Sequence, residues 1–452
     1  MQEVHENKMG TMPLGRLILS MSLPMILSML VQACYNIVDS IFISRFSEDA
    51  LAAVSYAFPA QNLMIGVATG TGVGINALLS RSLGEKDFDR ANRTAGNGII
   101  LAALSSLVFL IFGLTLAETF IAFQTSTPAV IEHGKQYLAI CCALSFGVFG
   151  EITFERLMQA TGRTLLTMFT QGLGAVINII LDPIFIFGYF GLPAMGAAGA
   201  ALATVIGQIG AFLLAVFLNH KYNHDIRLTK SAFRLDKKVV GRIYAVGVPS
   251  ILMVGIGSLM TTGMNKILNS FSDLAASVFG VYFKLQSFAF MPVFGLNNGV
   301  IPVVAYNYGA KKRKRMTGAV KIACITASCF MAVGLLIMQV FPAQALMLFD
   351  ASEEMLSIGV PALRTISLSF VFAGVCIALG SVFQALGHGT YSMLVSLARQ
   401  ILVLLPVAYL FSLTGNLNLV WLSFPIAEIM SIAVSLFFYI RIYRKVISKI
   451  PE

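Results

Sequence analysis

Two short stretches of the sequence place a carboxylate inside an otherwise apolar run. Asp39 lies in QACYNIVDSIFIS and Asp182 lies in INIILDPIFIFG. In both stretches an amide, Asn36 or Asn178, precedes the acid by about one helical turn. Because side chains three or four residues apart share a helix face, each acid is expected to have an amide beside it. Carboxylate and amide oxygens suit a proton relay or a Na⁺ ion.

Three more side chains are candidates for the same chemistry. Tyr35 lies four residues before Asp39, and Thr204 and Gln208 lie one turn apart in GAALATVIGQ, where they add a hydroxyl and an amide. The alternative is a buried polar network that only locks helices together, as Asn and Thr often do in membranes. Carboxylates fit that alternative less well, because a neutral Asn would pack at lower cost and only an acid can change its charge.

Two prolines give the segments that carry these groups a place to bend. Pro183 cannot donate a hydrogen bond to the carbonyl of Ile179, which leaves that oxygen for an ion, a water or a neighbour. Pro24 interrupts the first apolar segment. We therefore predict hinges at Pro24 and Pro183, with protonation of the nearby acids deciding whether the first segment straightens or kinks.

Two further polar residues are expected to support this chemistry. Gln61 lies in the second apolar segment, and Glu155 lies near the end of the fourth. Glu155 is expected to contact a cationic substrate, to pair with Arg156 or Arg163, or to be solvated.

The composition indicates that all these segments lie in a lipid bilayer. Of the 452 residues, 57% are hydrophobic and 12% are charged, whereas about a quarter of a soluble domain is charged. A membrane-spanning helix needs about 20 apolar residues. Twelve segments reach that length: 15–44, 50–82, 94–122, 128–160, 164–190, 195–219, 239–270, 274–307, 317–342, 354–386, 390–413 and 417–442.

The distribution of charge predicts the orientation of these spans. Lys and Arg cluster after spans two, six, eight and twelve, with KKRKR as the densest run, whereas the loops after odd-numbered spans carry acids. Because Lys and Arg stay on the cytoplasmic side, both termini are expected inside the cell, with the protein in the inner (plasma) membrane. The net charge of +10 is therefore interpreted as a topology signal, and no nucleic-acid partner is expected.

The sequence repeats itself with a period of 225 residues. Matched pairs include Pro24 and Pro249, Gly70 and Gly295, Gly74 and Gly299, Lys86 and Lys311, and the QAxG motifs at 159–162 and 384–387. Six spans return the chain to the same side, so the halves should be related by a pseudo-two-fold axis along the membrane normal. We predict an all-α membrane protein with an N-terminal six-helix lobe (1–218), a cytoplasmic linker (219–238) and a C-terminal six-helix lobe (239–452). A central cleft between the lobes would hold a transported molecule.

The second half differs from the first in its ionisable groups. The repeat places Met264 and Val407 where the first half has Asp39 and Asp182. The deep ionisable groups of the second half are instead Lys284, Arg364 and Arg399, with Glu428 as a candidate partner.

Several motifs together resemble the multidrug and toxic compound extrusion (MATE) family, most closely its bacterial MepA-like and DinF-like branch. YNIVDSIFIS, LGEKDFDRANR, the doubled QAxG, and NIILDPIFIFG followed by GAAGAALAT occur in that order. The resemblance implies twelve helices in two lobes and export of organic cations by antiport with H⁺ or Na⁺ through alternating access. By motif position it implies a cation or proton site at Asp39, Asn178, Asp182 and Thr204, with Glu155 matching an acidic position. The Na⁺-linked members often carry acids in the C-terminal lobe, and spans seven and ten here lack them.

The expected function is therefore secondary active multidrug efflux by a monomer, without enzymatic activity or a cofactor. H⁺ or Na⁺ is the coupling ion, and the substrates are small, cationic and amphipathic, which the 34 Phe and 21 Met would accommodate. A lipid-linked oligosaccharide or lipid flippase of the same architecture is the alternative, favoured by the three deep cations of the second half. An intramembrane enzyme is a remote alternative, because the sequence shows no acid cluster and no His or Cys beside a base.

Overall fold

The computed structural model describes residues 7–349 and 351–451, and within them the chain is helical, without strands. Residues 1–6 and Asp350, which belongs to the predicted acidic loop after span nine, lie outside the described residues. The helices are α1 (Lys8–Thr11), α2 (Leu14–Phe46), α3 (Glu48–Gly84), α4 (Phe88–Thr115), α5 (Ala117–Ala122), α6 (Pro128–Ala143), α7 (Phe146–Ala160), α8 (Thr164–Phe187), α9 (Ala197–Tyr222), α10 (Lys237–Asn269), α11 (Asp273–Gly309), α12 (Arg313–Val340), α13 (Pro342–Met347), α14 (Glu353–Ser367), α15 (Phe370–Ala385), α16 (Gly389–Leu397), α17 (Leu405–Ser412), α18 (Leu417–Trp421) and α19 (Ser423–Lys445).

Among the residues that the structure describes, ten helical segments are long and apolar enough to cross a bilayer, and two bent helix pairs bring the number to twelve. The pair α6 and α7 bends by 44°, and the pair α14 and α15 bends by 48°. Each pair occupies a segment predicted as one span, 128–160 or 354–386. The prediction of an all-α membrane protein is confirmed, with two of its spans broken near the middle.

The period of 225 residues recurs in the helix boundaries. α3 and α11 begin and end at matching positions, and so do α4 and α12. Ser47 and Ser272 cap α3 and α11 in the same way, each hydroxyl accepting a hydrogen bond from the backbone N–H three residues further on, at 3.4 and 3.1 Å. Lys86 and Lys311 both adopt left-handed backbone conformations, with φ of 58° and 55°. The internal repeat is therefore a repeat of structure.

The QAxG motifs end α7 and α15 with a left-handed turn. Gly162 and Gly387 have φ of 87° and 83°, a conformation that glycine adopts without the steric cost of a Cβ. Each N–H bonds the carbonyl of the motif glutamine at 3.0 Å. The glycine of the motif is therefore explained by helix termination.

Contacts divide the chain into two compact units. Within residues 7–349 and 351–451, unit 1 comprises residues 7–8 and Leu27–Ile251, and unit 2 comprises Met9–Ile26 and the described residues from Leu252 onward. α2 and α10 therefore each contribute to both units, and each changes unit two residues after its repeated proline. The predicted lobe boundaries at 218 and 239 stay a prediction, since these units follow a different division of the chain.

In unit 1, a pair of glycines on α3 admits the first half of α10. A Cβ on Gly74 would lie 2.1 Å from the carbonyl oxygen of Ile243, and one on Gly70 would lie 2.9 Å from the backbone nitrogen of Ile251. At such distances α3 has no room for a side chain at these two positions. This is the small-residue packing that lets membrane helices approach closely.

Unit 2 repeats this packing with the first half of α2 against α11. A Cβ on Gly299 would lie 2.8 Å from Cα of Ser22, and one on Gly295 would lie 2.6 Å from Cα of Ile26. Both glycines are the repeat partners of those on α3. In each unit, the segment that ends two residues after the repeated proline, at Ile26 or Ile251, packs against the paired glycines of the facing helix.

The segment between α9 and α10 is a folded part of unit 1. The amide of Asn97 donates to the carbonyl of Arg234 at 3.0 Å and accepts from the N–H of Asp236 at 2.9 Å. Arg163 pairs with Asp225 at 3.2 Å. The backbone N–H of Lys238 is the main cause that holds the pKa of Asp236 below its usual value. The predicted linker is therefore tied to unit 1 by specific hydrogen bonds.

Candidate cation site in unit 1

Close packing of α8 and α9 positions the first part of the site. A Cβ on Gly207 of α9 would lie 2.7 Å from the carbonyl oxygen of Gly174 in α8. This close approach brings Asn178 of α8 next to Thr204 of α9. Asp182 follows Asn178 by one turn on the same face of α8. All three polar side chains are buried, and Asp182 has no exposed surface.

Asn178 links the carboxyl group of Asp182 to Thr204. In the amide orientation that satisfies both neighbours, Nδ2 donates to Asp182 Oδ2 at 3.0 Å. The amide oxygen then accepts from the backbone N–H and the hydroxyl of Thr204, at 3.2 and 3.1 Å. The reverse orientation leaves the nitrogen 3.5 Å from Asp182 Oδ1 and 3.1 Å from the Thr204 hydroxyl, with no donor facing the amide oxygen. We adopt the first orientation because every group then has a partner.

Asp39 brings a second carboxyl group to Asp182. The two side chains lie within hydrogen-bonding reach of each other. An ionised carboxylate only accepts hydrogen bonds, so two carboxyl groups can bond to each other only when one carries a proton. The remaining oxygen of Asp39, Oδ1, is buried and has no hydrogen-bond partner within the described residues 7–349 and 351–451. The two carboxyl groups are therefore placed so that they can share a proton, and Oδ1 of Asp39 can accept from another donor or bind a cation.

Two tyrosines border the carboxyl pair. The hydroxyl of Tyr137 donates to Oε1 of Gln61 at 3.2 Å, and Tyr137 lies near Asp39. Tyr35 lies near both Asp39 and Asp182, as its position on the face of Asp39 predicts. The sequence interpretation missed Tyr137, because nothing in IEHGKQYLAI distinguishes it and only the packing of α6 against α3 brings it to Gln61.

Two predicted residues do not join this network. The side chain of Asn36 is exposed, although it was placed on the face of Asp39. Neither Asn36 nor Gln208 makes a side-chain hydrogen bond within the part of the chain that the structure describes. The spacing argument identified the helix but not which side of it faces the neighbouring helices.

Glu155 has a hydrogen-bonded environment of its own. Thr170 donates to Oε1 at 2.6 Å and Gln171 donates to Oε2 at 2.8 Å. Of the two arginines considered as its partners, Arg156 donates to Gln159 and also interacts electrostatically with Glu155, whereas Arg163 pairs with Asp225. Both oxygens of Glu155 are therefore engaged by neutral donors from α8.

Both helices with predicted hinges continue through their prolines. α2 is helical from Leu14 to Phe46 across Pro24, and α8 is helical from Thr164 to Phe187 across Pro183. The hinges at Pro24 and Pro183 stay predictions.

The fold and this site together define a class of protein. A membrane protein built from two structural repeats, with buried ionisable groups between its spanning helices, has the design of a secondary transporter. The chain belongs to the MatE family, whose sequence profile matches residues 24–184 and again residues 249–410. The two matches coincide with the two repeats.

Similar proteins extend over nearly the whole chain. The multidrug export protein MepA of Staphylococcus haemolyticus is 24% identical over 408 residues, which cover 90% of this chain and 89% of that protein. The probable multidrug resistance protein YoeA of Bacillus subtilis is 26% identical over 435 residues, which cover 94% of each. A solved structure described as the outward-facing conformation of a multidrug resistance MATE family transporter has a TM-score of 0.91 at 23% identity. It matches 98% of this chain and 99% of that one, and it supports the fold.

Proposed function

We propose that this chain is a multidrug efflux transporter that exports small organic cations by antiport with H⁺, with Na⁺ as the alternative coupling ion. Transport proceeds by alternating access in the cell membrane, with both termini in the cytoplasm. Similar proteins named for multidrug export support the substrate class. The close approach of the buried carboxyl groups of Asp39 and Asp182 is the observation that carries the proposal of coupling.

The carboxyl pair suits coupling because its net charge depends on how many protons or cations are bound to it. With one shared proton the pair carries one negative charge, and Asn178 stabilises the Asp182 side through its amide N–H. Loss of that proton would leave two adjacent negative charges in a buried site, an arrangement that favours binding a cation. Protons entering from outside and a cationic substrate leaving the cytoplasm would therefore compete for the same negative charge.

The number of carboxyl groups sets the energy available for export. One proton exchanged for one monovalent cation moves no net charge, so only the pH gradient drives it, at about 1.4 kcal/mol per tenfold gradient. Two protons, one for each carboxyl group, would also gain about 2.3 kcal/mol per 100 mV of membrane potential. Sensitivity of transport to an imposed potential would therefore distinguish the two stoichiometries.

The flippase alternative receives less support from unit 2. A site for a lipid pyrophosphate needs cations that are free to bind phosphate. Arg399 is instead paired with Glu428 at 2.9 Å, which confirms the partner suggested by the sequence. The ammonium group of Lys284 lies 5.8 Å from the centre of the Phe349 ring, and Arg364 is exposed. Of the three basic residues on which the alternative rests, Arg399 is thus neutralised by a carboxylate, whereas Lys284 and Arg364 are exposed.

Efflux of ethidium from cells that express the chain tests the proposal. Efflux should collapse when an uncoupler removes the proton gradient, and Asp182→Asn should abolish it at unchanged expression. Asp273→Asn, an exposed acid at the start of α11, is the matched control and should retain efflux. Efflux that survives the uncoupler but stops when Na⁺ is removed would identify Na⁺, and not H⁺, as the coupling ion. Full efflux in Asp182→Asn would refute the role of the carboxyl pair.

A further inference from the structure

Unit 2 contains a buried carboxylate with one oxygen that lacks a partner. Glu428 of α19 is 7% exposed, and Arg399 Nη1 donates to its Oε1 at 2.9 Å. Its other oxygen, Oε2, is buried and finds no hydrogen-bond partner among residues 7–349 and 351–451. A buried polar atom without a partner is costly, and such atoms commonly mark a bound water or ion.

Two buried hydroxyl groups lie on the same face of α19. Ser431 and Ser435 follow Glu428 by three and seven residues, a spacing that aligns side chains along one helix face. Neither serine has any exposed surface, and neither hydroxyl has an oxygen or nitrogen partner in the described chain. The sulfur of Cys376 in α15 lies within reach of both hydroxyls, but a thiol is only a weak hydrogen-bonding group. Glu428 Oε2 and the two serine hydroxyls therefore lie along one face of α19 without an oxygen or nitrogen partner in the described chain.

The arginine of this cluster lies in an irregular turn of helix. Ala398–Leu404, between α16 and α17, forms a π-helical turn, whereas α8 is α-helical through the matching residues of the first repeat. π-helical turns occur frequently at functional sites. The repeat places Gly174 and Ala203 where unit 2 has Arg399 and Glu428. The charged pair is thus a feature of the second half alone.

We propose that Glu428 and Ser431, one turn apart, form a second cation site, which takes an alkali cation of the size of Na⁺, and that Ser435 extends its polar lining by one further turn. Arg399 acts as a tethered cation that occupies Glu428 until the ion displaces it. Carboxylate and hydroxyl oxygens are hard ligands that suit such an ion. The Arg399 side chain is 23% exposed and that of Glu428 is 10% exposed, so the guanidinium has a route out whereas the carboxylate stays buried. Exchange of one cation for the other keeps the charge of the site constant, which limits the cost of the exchange.

Thermal unfolding of the purified full-length protein tests this site. The protein would carry Asp39→Asn and Asp182→Asn, so that the carboxyl pair of unit 1 cannot contribute. Stability is then compared in NaCl and in choline chloride at equal ionic strength. We expect Na⁺ to raise the unfolding temperature, and we expect Arg399→Gln to lower the half-saturating Na⁺ concentration at least tenfold, because the competing cation is gone.

Two matched variants distinguish Na⁺ binding at this site from a general effect of Na⁺ on stability. Ser431→Ala together with Ser435→Ala should abolish the response to Na⁺, whereas Arg364→Gln, an exposed arginine in α14, should leave it unchanged. Absence of a Na⁺ response in Arg399→Gln, or an undiminished response in the double serine variant, would overturn the proposal.

A second measurement keeps Arg399 and does not depend on the folding of any variant at that position. Mass spectrometry would follow alkylation of Cys376 in the same background, with and without Na⁺. Na⁺ bound beside the sulfur should slow this reaction several-fold, and equal rates in NaCl and choline chloride would refute the site. Because Asp39 and Asp182 are absent from these experiments, the outcome is independent of whether they couple transport.

Discussion

The crossing of α3 and α10 at Gly74 allows a sharp prediction for stability. Gly74→Ala would place a Cβ 2.1 Å from the carbonyl oxygen of Ile243 and 2.9 Å from its carbonyl carbon, where ordinary contact begins at 3.4 Å. The contacted atoms belong to the backbone of α10 and cannot rotate away. The two helices must therefore separate by roughly 1 Å, which a close-packed interior resists.

Two opposing terms set the size of the effect. Overpacking costs about 1–3 kcal/mol, and the backbone contact favours the upper end of that range. Alanine regains about 1 kcal/mol through its higher helix propensity. We therefore expect Gly74→Ala to destabilise unit 1 by about 1–2 kcal/mol.

The apparent unfolding temperature of the full-length protein in detergent measures this effect. Each 1 kcal/mol corresponds to roughly 2–4 °C for a unit of this size, so Gly74→Ala should unfold several degrees below the wild type. Gly241→Ala is the control, because a Cβ at that exposed position of α10 would meet nothing within 4 Å and should raise the temperature slightly. A Gly74→Ala variant that unfolds at or above the wild-type temperature would refute the packing argument.

Two further predictions concern charged groups at the ends of the helices. Partial burial raises the pKa of Glu85, but hydrogen bonds from Arg81 and Arg90 outweigh it and lower the pKa below 4.5. Since a lowered folded-state pKa stabilises above the unfolded value and is lost on acidification, Glu85→Gln should unfold earlier than the wild type at pH 7, and the difference should shrink as the pH falls below 4.5. Arg315 Nη2 donates to the carbonyl of Met12 at 2.6 Å, so Arg315→Gln should release the start of the chain and speed its cleavage in limited proteolysis several-fold.

For each of these two predictions, a specific result would contradict the reasoning. A difference between Glu85→Gln and the wild type that is constant from pH 7 to pH 4 would contradict the ion-pair argument. For the second, Lys321→Gln replaces an exposed lysine of α12 and should leave proteolysis unchanged. Equal cleavage of Arg315→Gln and Lys321→Gln would show that Arg315 does not anchor this segment.

The internal repeat was the part of the fold that could be predicted most fully from the sequence. A period of 225 residues fixes which helices should match, and glycine and proline at matched positions have specific backbone roles. The structure accordingly repeats the glycine grooves at Gly74 and Gly299 and the left-handed Lys86 and Lys311. The grouping of Asp182 with Asn178 was also accessible, because it depends only on the spacing within one helix.

The bends of helices, and the side of a helix that faces its neighbours, could not be predicted from the sequence. Both arms of a bent span are apolar and helical, so periodicity does not reveal the 44° bend between α6 and α7. The π-helical turn around Arg399 could not be predicted either, because its amino-acid composition is that of an ordinary apolar helix. Asn36 and Tyr137 show the same limit, since the neighbouring helices decide which side of α2 or α6 faces the site.

Accumulation of a cationic dye in liposomes under independently imposed pH and Na⁺ gradients tests most directly whether the two acids of unit 1 couple transport. A gradient of H⁺ or of Na⁺ should drive uphill accumulation by the wild type. The variant with Asp39→Asn and Asp182→Asn should show no accumulation beyond equilibrium under either gradient. Accumulation by that variant to the wild-type level would contradict the account.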